Sequence, residues 1–384
     1  MSGHTHDHID WADRLVLLRA ADTLDAPAQA AIAARLAAKL PANPTVIDLG
    51  CGAGGMSTHF AQALATQHGG TIILVDATPE LLHEAERAVR AAADAAQNNR
   101  ADNPALPPER RGHVASEGDG DHRTSGAGSS NHTAATGSRT PTAEVRAAVA
   151  DGDEDAAASS GGTAPTAEVR AAVADVAAAD LATAGGTAPT VEVRAIVADL
   201  ADSALPDLLP AADLVWASRV VHHLPDQQAA IGTLAAVARA GGVVALAEGG
   251  LSFSCLPWDL GVGRPGLEDR LQAAQAEWFV GMREGIDGAV PMPYGWTVAL
   301  ERAGLAEVGS FSALVDHPAP GPDGLTDYVH HHLSRLATHG ADHLADEDRA
   351  TLASLLDPDS SHYLGKRRDL FLLGARTVHH GRRP

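Results

Sequence analysis

The spacing of apolar positions changes several times along the chain, and each change marks an element. Over residues 12–40 the spacing is helical, with Ile32, Leu36 and Leu40 at intervals of four, and it predicts two helices, the second stopped by Pro41. Thr45 to Leu49 then reads as a short apolar strand. A glycine-rich turn, Gly50-Cys51-Gly52-Ala53-Gly54-Gly55, follows, and Met56 to about Gln67 is helical. Thr71 to Val75 predicts a second strand ending at Asp76. From Pro79 to about Ala96, Leu81, Leu82 and Ala85 share one side of a helix. Strands alternating with helices call for a parallel sheet.

From Asn98 the pattern is lost. Residues 98–188 are dominated by Gly, Ser, Ala, Pro, Asp and His, and no aromatic residue occurs between Phe60 and Trp216. Such a stretch buries too little to offset its ordering entropy, so a disordered insertion is expected. It contains a tandem repeat of period 24: Pro141–Asp151 and Pro165–Asp175 are identical, and Pro189–Asp199 differs only at Val191 and Ile196. Those two residues are strand formers, so the third copy is expected to be the third strand. The first two copies then fall in the loop, where an earlier copy is also able to compete for the same sheet position.

Regular patterning resumes with a strand at Leu214–Ala217, a helix from Asp226 to Arg239, a stop at Gly241-Gly242 and a strand from Val243 to Ala247. That makes five parallel strands. A segment over 249–293, a helix near Gly295–Ala303, a strand near Val308–Val315, a helical insert at 324–357 and a strand from Leu370 through Val378 complete the chain, the last two strands forming an antiparallel edge pair. The expected division is therefore 1–41, a helical lid; 42–97 with 189–250, the core; 98–188, the insertion; and 251–384, cap helices plus the last two strands.

Charge narrows the partners. Lys and Arg total 28 against 49 Asp and Glu, a net charge of −21, which repels nucleic-acid phosphates and anionic lipid surfaces. Cys51 and Cys255 form neither a disulfide framework nor a metal motif, which suits a reducing cytoplasm. The start of the chain lacks the basic and apolar pattern of a secretory signal, and no long apolar run suggests a membrane span. His4, His6 and His8, and His330 to His332, are candidate metal ligands, but consecutive histidines on a helix diverge and the N-terminal set is expected to be disordered. No metal is expected, and the oligomeric state is left open.

The chemistry concentrates in the glycine turn. Glycines after a strand let a ligand approach backbone closely, and the next helix offers free N–H groups. Gly50, Gly52 and Gly55 also satisfy the dinucleotide spacing G-x-G-x-x-G, so a nicotinamide cofactor has to be weighed. Asp48 opposes it, since a carboxylate there repels a pyrophosphate but suits a ligand bearing an ammonium and a sulfonium. Asp76, at the tip of the second strand, is placed to accept from ribose hydroxyls of either cofactor.

Val46-Ile47-Asp48-Leu49-Gly50-Cys51-Gly52-Ala53-Gly54 resembles motif I of class I S-adenosylmethionine-dependent methyltransferases. Ile73 to Thr78, Val197 to Leu200 and Ala212 to Leu224 resemble the later motifs, in order. The resemblance implies a Rossmann-like, doubly wound α/β fold with a seven-stranded, mostly parallel sheet in the order 3-2-1-4-5-7-6, carrying helical cap inserts. It implies S-adenosyl-L-methionine as cofactor, with Asp48, Gly50, Gly52 and Gly54 at the methionine end, Asp76 and Ala77 at the ribose, Asp199 and Leu200 at the adenine, and Ser218 beside the sulfonium. Gly54 or Gly55 has the alternative task of helix packing, and Asp199 that of ending a strand.

The expected acceptor is a small molecule with an oxygen or nitrogen nucleophile, a secondary metabolite being one such class. The stretch Ala217-Ser218-Arg219-Val220 lacks the Asn/Asp-Pro-Pro-aromatic loop of enzymes acting on exocyclic or amide nitrogen. For a phenol or alcohol acceptor, His222 or His223 is the candidate base. Phe253, Trp258, Trp278, Phe279, Tyr294 and Trp296 either line an acceptor pocket or form the core of the cap. Two rival classes stand beside this reading: a nicotinamide-dependent oxidoreductase, and a non-catalytic protein that binds S-adenosylmethionine or a partner. Limited proteolysis is expected to cut first between residues 98 and 188; resistance there would refute this account of the insertion.

Overall fold

The computed structural model describes residues 11–67, 69–102 and 190–384. The first two repeat copies, nearly all of the expected insertion and the histidines at 4, 6 and 8 lie outside the described residues.

The chain opens with α1, Trp11–Ala37. This is one helix where the pattern suggested two, and Pro27 sits inside it. An internal proline removes one hydrogen bond and costs roughly 3 kcal/mol. Burial offsets that: Leu24, Ala28, Ile32 and Leu36 are all almost fully buried, at roughly 1.5–3 kcal/mol for each larger side chain. Further elements follow in strict alternation: β1 (Thr45–Leu49), α2 (Gly55–Gln67), β2 (Gly70–Asp76), α3 (Pro79–Asp102), β3 (Val191–Val197), α4 (Leu205–Leu208), β4 (Ala212–Ser218), α5 (Gln227–Val237) and β5 (Ala238–Ser254). Beyond them lie α6 (Leu267–Gly285), α7 (Trp296–Arg302), β6 (Ala306–His317), α8 (Leu325–His339), α9 (Asp346–Leu356) and β7 (Leu372–Arg382). α3 runs five residues past the expected boundary at 97. The third repeat copy supplies β3, which pairs in parallel with β2 from Val191 to Val197.

The seven strands lie in the order β3-β2-β1-β4-β5-β7-β6. β1 to β5 pair in parallel, and β7 runs antiparallel to both of its neighbours. This is the doubly wound α/β fold expected of the sequence. Side chains alternate between two cores. On one face Val46, Ile72, Leu74, Trp216 and Ala245 meet Ile32 and Leu36 of α1, Phe60 and Leu64 of α2, and Val89 of α3. On the other, Ile47, Leu49, Val215 and Leu246 meet Leu205, Ile231, Leu234 and Leu300. A third core under α6, α8 and α9 holds Phe253, Leu271, Val329, Leu333, Leu352 and Leu372, and Leu24 of α1 reaches into it. α1 therefore braces the sheet: Asp25 pairs with Arg376 of β7 at 2.7 Å, and His317 Nε2 lies 2.7 Å from the Leu24 carbonyl. Among the described residues no helix is long and apolar enough to cross a membrane.

β5 begins at Ala238, ahead of the Gly241-Gly242 expected to separate helix from strand, and does not stop at Ala247 as the pattern suggested. It continues to Ser254 because β7 pairs with it from Val243 to Ser254, through register shifts on either side of Gly250 and Leu251. Gly250 has φ +128°, and a Cβ there would lie 2.3 Å from the Ala375 carbonyl oxygen. Gly250→Ala is accordingly expected to destabilise the fold by at least about 2 kcal/mol, read by urea denaturation of the full chain; an unchanged midpoint would refute the claim that this bulge needs glycine.

Candidate active site

The C-terminal ends of β1, β2, β4 and β5 meet at one edge of the sheet, which is where α/β sheets bind ligands. The glycine turn crosses this edge. Gly50, Gly52 and Gly54 all have positive φ (+70°, +51° and +83°), and the amides of Gly50 and Cys51 donate to the Val75 carbonyl, fixing the turn to β2. Gly52 has open space where a Cβ would stand. Gly54 does pack on a helix, since a Cβ would lie 2.9 Å from Ala85 Cα of α3. Gly55 begins α2 and lies so close to the Asp22 carboxylate of α1 that a Cβ there would fall 2.1 Å from Oδ1.

Three carboxylates surround this turn. Asp48 is buried and accepts a 2.6 Å hydrogen bond from Ser57 Oγ of α2. Burial pushes its carboxyl up to about 7, the Ser57 bond opposes this, and the charges of Asp76 and Asp22 add to it. Asp76 ends β2 and accepts from the amides of Gly52 (2.9 Å) and Thr78 (2.8 Å). Its carboxyl is also raised, by burial first, with those amides pulling it back. The Cys51 thiol between them is buried and pushed up by burial and then by Asp48 and Asp76. Ala77, next to Asp76, is exposed.

The β3 end lies beside the β2 end, the Ala198 amide donating to the Asp76 carbonyl. Asp199 and Leu200 are half-buried there. Asp199 Oδ1 accepts from the Ala201 amide at 2.9 Å, so its side chain also shapes the turn after the strand. At the β4 end, Ser218 lines a small cleft of about 30 Å³ with Met56, Trp216, Arg219, Ala247, Gly249 and residues of α1 and β7. Trp216 Nε1 and Gln29 Oε1, both from this lining, are buried without a hydrogen-bond partner among the described residues.

The two candidate bases occupy a short 3-10 turn, Val221–His223, after β4. Both are buried and their rings lie 4.0 Å apart, yet their surroundings differ. His222 Nδ1 lies 2.7 Å from Oε2 of Glu248, which follows the last β5 residue paired with β4, and its ring centroid is 5.7 Å from that of Phe279 of α6. Arg283, one turn along α6, donates to the carbonyls of His222 (2.8 Å) and Leu224 (2.7 Å), and its own proton affinity is lowered by burial. Glu248, Asp22, Ser57 and Arg283 were not singled out from the sequence. Among the remaining aromatic candidates, Phe253 is core and Trp258 is 70 % exposed. His330 meets the Leu356 carbonyl while His332 stacks on Tyr328, so these neighbours do point apart.

The chain belongs to the class I S-adenosylmethionine-dependent methyltransferase family: the family model described as "Methyltransferase domain" matches residues 23–306, and the sheet has the order expected of that class. Among solved structures it is similar to a protein of Bacillus halodurans C-125 provisionally described as a methyltransferase (14% identity, 92% of this chain and 98% of that one, TM-score 0.38). It is also similar to S-adenosylmethionine-dependent methyltransferases in complex with S-adenosyl-L-homocysteine. One is from Thiobacillus denitrificans (13%, 91% and 90%, TM-score 0.34) and another from Geobacter sulfurreducens (13%, 91% and 89%, TM-score 0.35). A comparison with curated protein sequences gives no match.

The Asp48 carboxyl makes a pH prediction for the ligand-free protein. Its folded value, about 7, lies above the ordinary 3.8, so folding takes up a proton between those limits and this group's stabilising share is lost as pH rises through the window. Relative to Asp48→Asn, the wild type should lose stability from pH ~4 to ~7, by on the order of 4 kcal/mol. Denaturation of both proteins across that range checks it, and parallel curves would refute it.

Proposed function

We propose that the chain binds S-adenosyl-L-methionine across the glycine turn and transfers its methyl group to a small-molecule acceptor. The observation that carries this reading is Asp48, a buried carboxyl with a single hydroxyl donor and two like charges nearby. Such a site favours a ligand carrying positive charge and opposes a pyrophosphate. The residues fit that ligand: Gly52 leaves open space over the turn, and the orphaned Trp216 Nε1 and Gln29 Oε1 line the adjoining cleft. On this reading Asp48 with the backbone of Gly50, Gly52 and Gly54 holds the methionine end. Asp76 and Ala77 hold the ribose, Asp199 and Leu200 flank the adenine, and Ser218 lies beside the sulfonium.

When bound, S-adenosyl-L-methionine supplies a methyl carbon already activated by the sulfonium. The chain's task is then alignment and exclusion of water. Where the acceptor is a hydroxyl, its oxygen gains the methyl and its proton must leave, and His222 is the residue to take it; His223 packs against the His222 ring. A carboxylate acceptor needs no base. α6, α8 and α9 cover the region beyond the sheet as the acceptor cap, with Phe279 beside His222. The net charge of −21 argues against nucleic acid as substrate, and the two free, buried cysteines suit a cytoplasmic setting.

Calorimetric titration with S-adenosyl-L-methionine, S-adenosyl-L-homocysteine and NADH tests this. Micromolar binding of the first two, lost in Asp76→Ala, is expected. Binding of NADH alone would replace methyl transfer with an oxidoreductase, and cofactor binding without turnover on any acceptor would leave a binding protein.

A further inference from the structure

Glu248 lies within β5, directly after the last residue that pairs with β4, and is 1 % exposed. A carboxylate removed from water this completely needs a donor on each oxygen. Oε1 accepts from the backbone amides of Val220 (3.1 Å) and Val221 (2.8 Å), and Oε2 faces His222 Nδ1 at 2.7 Å. The Glu248 backbone adds a further tie, its carbonyl lying 3.1 Å from His379 Nε2 of β7. The carboxylate therefore fastens both the peptide that leads out of β4 and the imidazole that follows it.

We infer that Glu248 is a positioning residue that fixes His222 as the Nδ1–H tautomer, leaving Nε2 bare to accept a proton from the methyl acceptor. This rests on the reading of His222 as base. A neutral imidazole has one donor nitrogen and one acceptor nitrogen, and the partner of one dictates the state of the other. With Oε2 accepting, Nδ1 carries the hydrogen. Among the described residues no hydrogen bond reaches Nε2, which is also not among the buried orphan atoms, and the side chain keeps 11 % of its surface exposed. The ring is held in plane on one side and open on the other. Arg283 fixes the same turn from α6 through the carbonyls of His222 and Leu224, so neither the peptide nor the ring is left to rotate.

Glu248→Gln separates this role from loop anchoring. A glutamine has one acceptor atom, which two backbone amides already claim, so its NH2 group must face His222 Nδ1. Nδ1 then becomes the acceptor and Nε2 takes the hydrogen, which abolishes the base without removing the loop's hydrogen bonds. The measurement is the ring-nitrogen NMR spectrum of the full chain labelled with 15N-histidine, above the pH at which imidazoles titrate, with His222→Asn assigning the signal. The expected result is a bare Nε2 in the wild type and a protonated Nε2 in Glu248→Gln, with unchanged affinity for S-adenosyl-L-methionine by calorimetry. A protonated Nε2 in the wild type overturns the inference even if the variant does not fold, and so does a folded Glu248→Gln whose tautomer is unaltered. The tautomer is read without cofactor, so failure of the wild type to bind S-adenosyl-L-methionine would sink the methyl-transfer reading while leaving this result to stand or fall separately.

Discussion

The functional edge of this sheet is governed by the cost of burying carboxylates. Taking such a group out of water costs several kcal/mol unless donors replace the solvent. Three side chains at the edge face that cost, and each meets it differently. Glu248 has two amides and an imidazole, Asp76 has two amides, and Asp48 has one serine hydroxyl together with the repulsion of its neighbours. The ranking of satisfaction is a ranking of roles. The best-satisfied group is a fixture of the fold, the intermediate one retains lone pairs for further hydroxyl donors, and the poorest is where a cationic ligand gains most.

The strands and the glycine turn were legible because they are local. β1, β2 and β4 are short apolar runs bounded by turn residues, and the chemistry of the turn lies within Asp48 to Gly54. β3 was readable through Val191 and Ile196, the two substitutions that set the third repeat apart. What the local pattern missed was support from distant parts of the chain, where two helices were expected over 12–40 and a strand end at Ala247. Pro27 does not end α1 because two cores bury the helix on either side of it, and Gly250 does not end β5 because β7 pairs across the bulge. The composition change at Asn98 likewise did not end α3, which runs to Asp102.

Site residues divide the same way. Asp48, Asp76 and Ser218 sit at strand ends that periodicity locates. Glu248 had a weak signal, an acid followed by Gly249-Gly250 after an apolar strand, but its partners lie 26 to 28 residues earlier and meet it only because β4 and β5 are neighbours. Asp22 had no local signal. It reaches the start of α2 because α1 lies along α2, and Gly55 is the trace that approach leaves in the sequence.

The cap and the edge are mechanically joined. Arg283 is half-buried against the polar backbone of the 3-10 turn, where each of its bonds to a carbonyl is charge-assisted and stronger than an ordinary one. Phe279 lies one helical turn earlier and touches the His222 ring, so α6 contacts both the backbone and the side chain of the same residue. Glu248 holds that turn from below and α6 holds it from above. On the proposed reading of His222 as base and α6 as cap, a shift of α6 on binding an acceptor acts on His222 directly, and the cap then helps to orient the base.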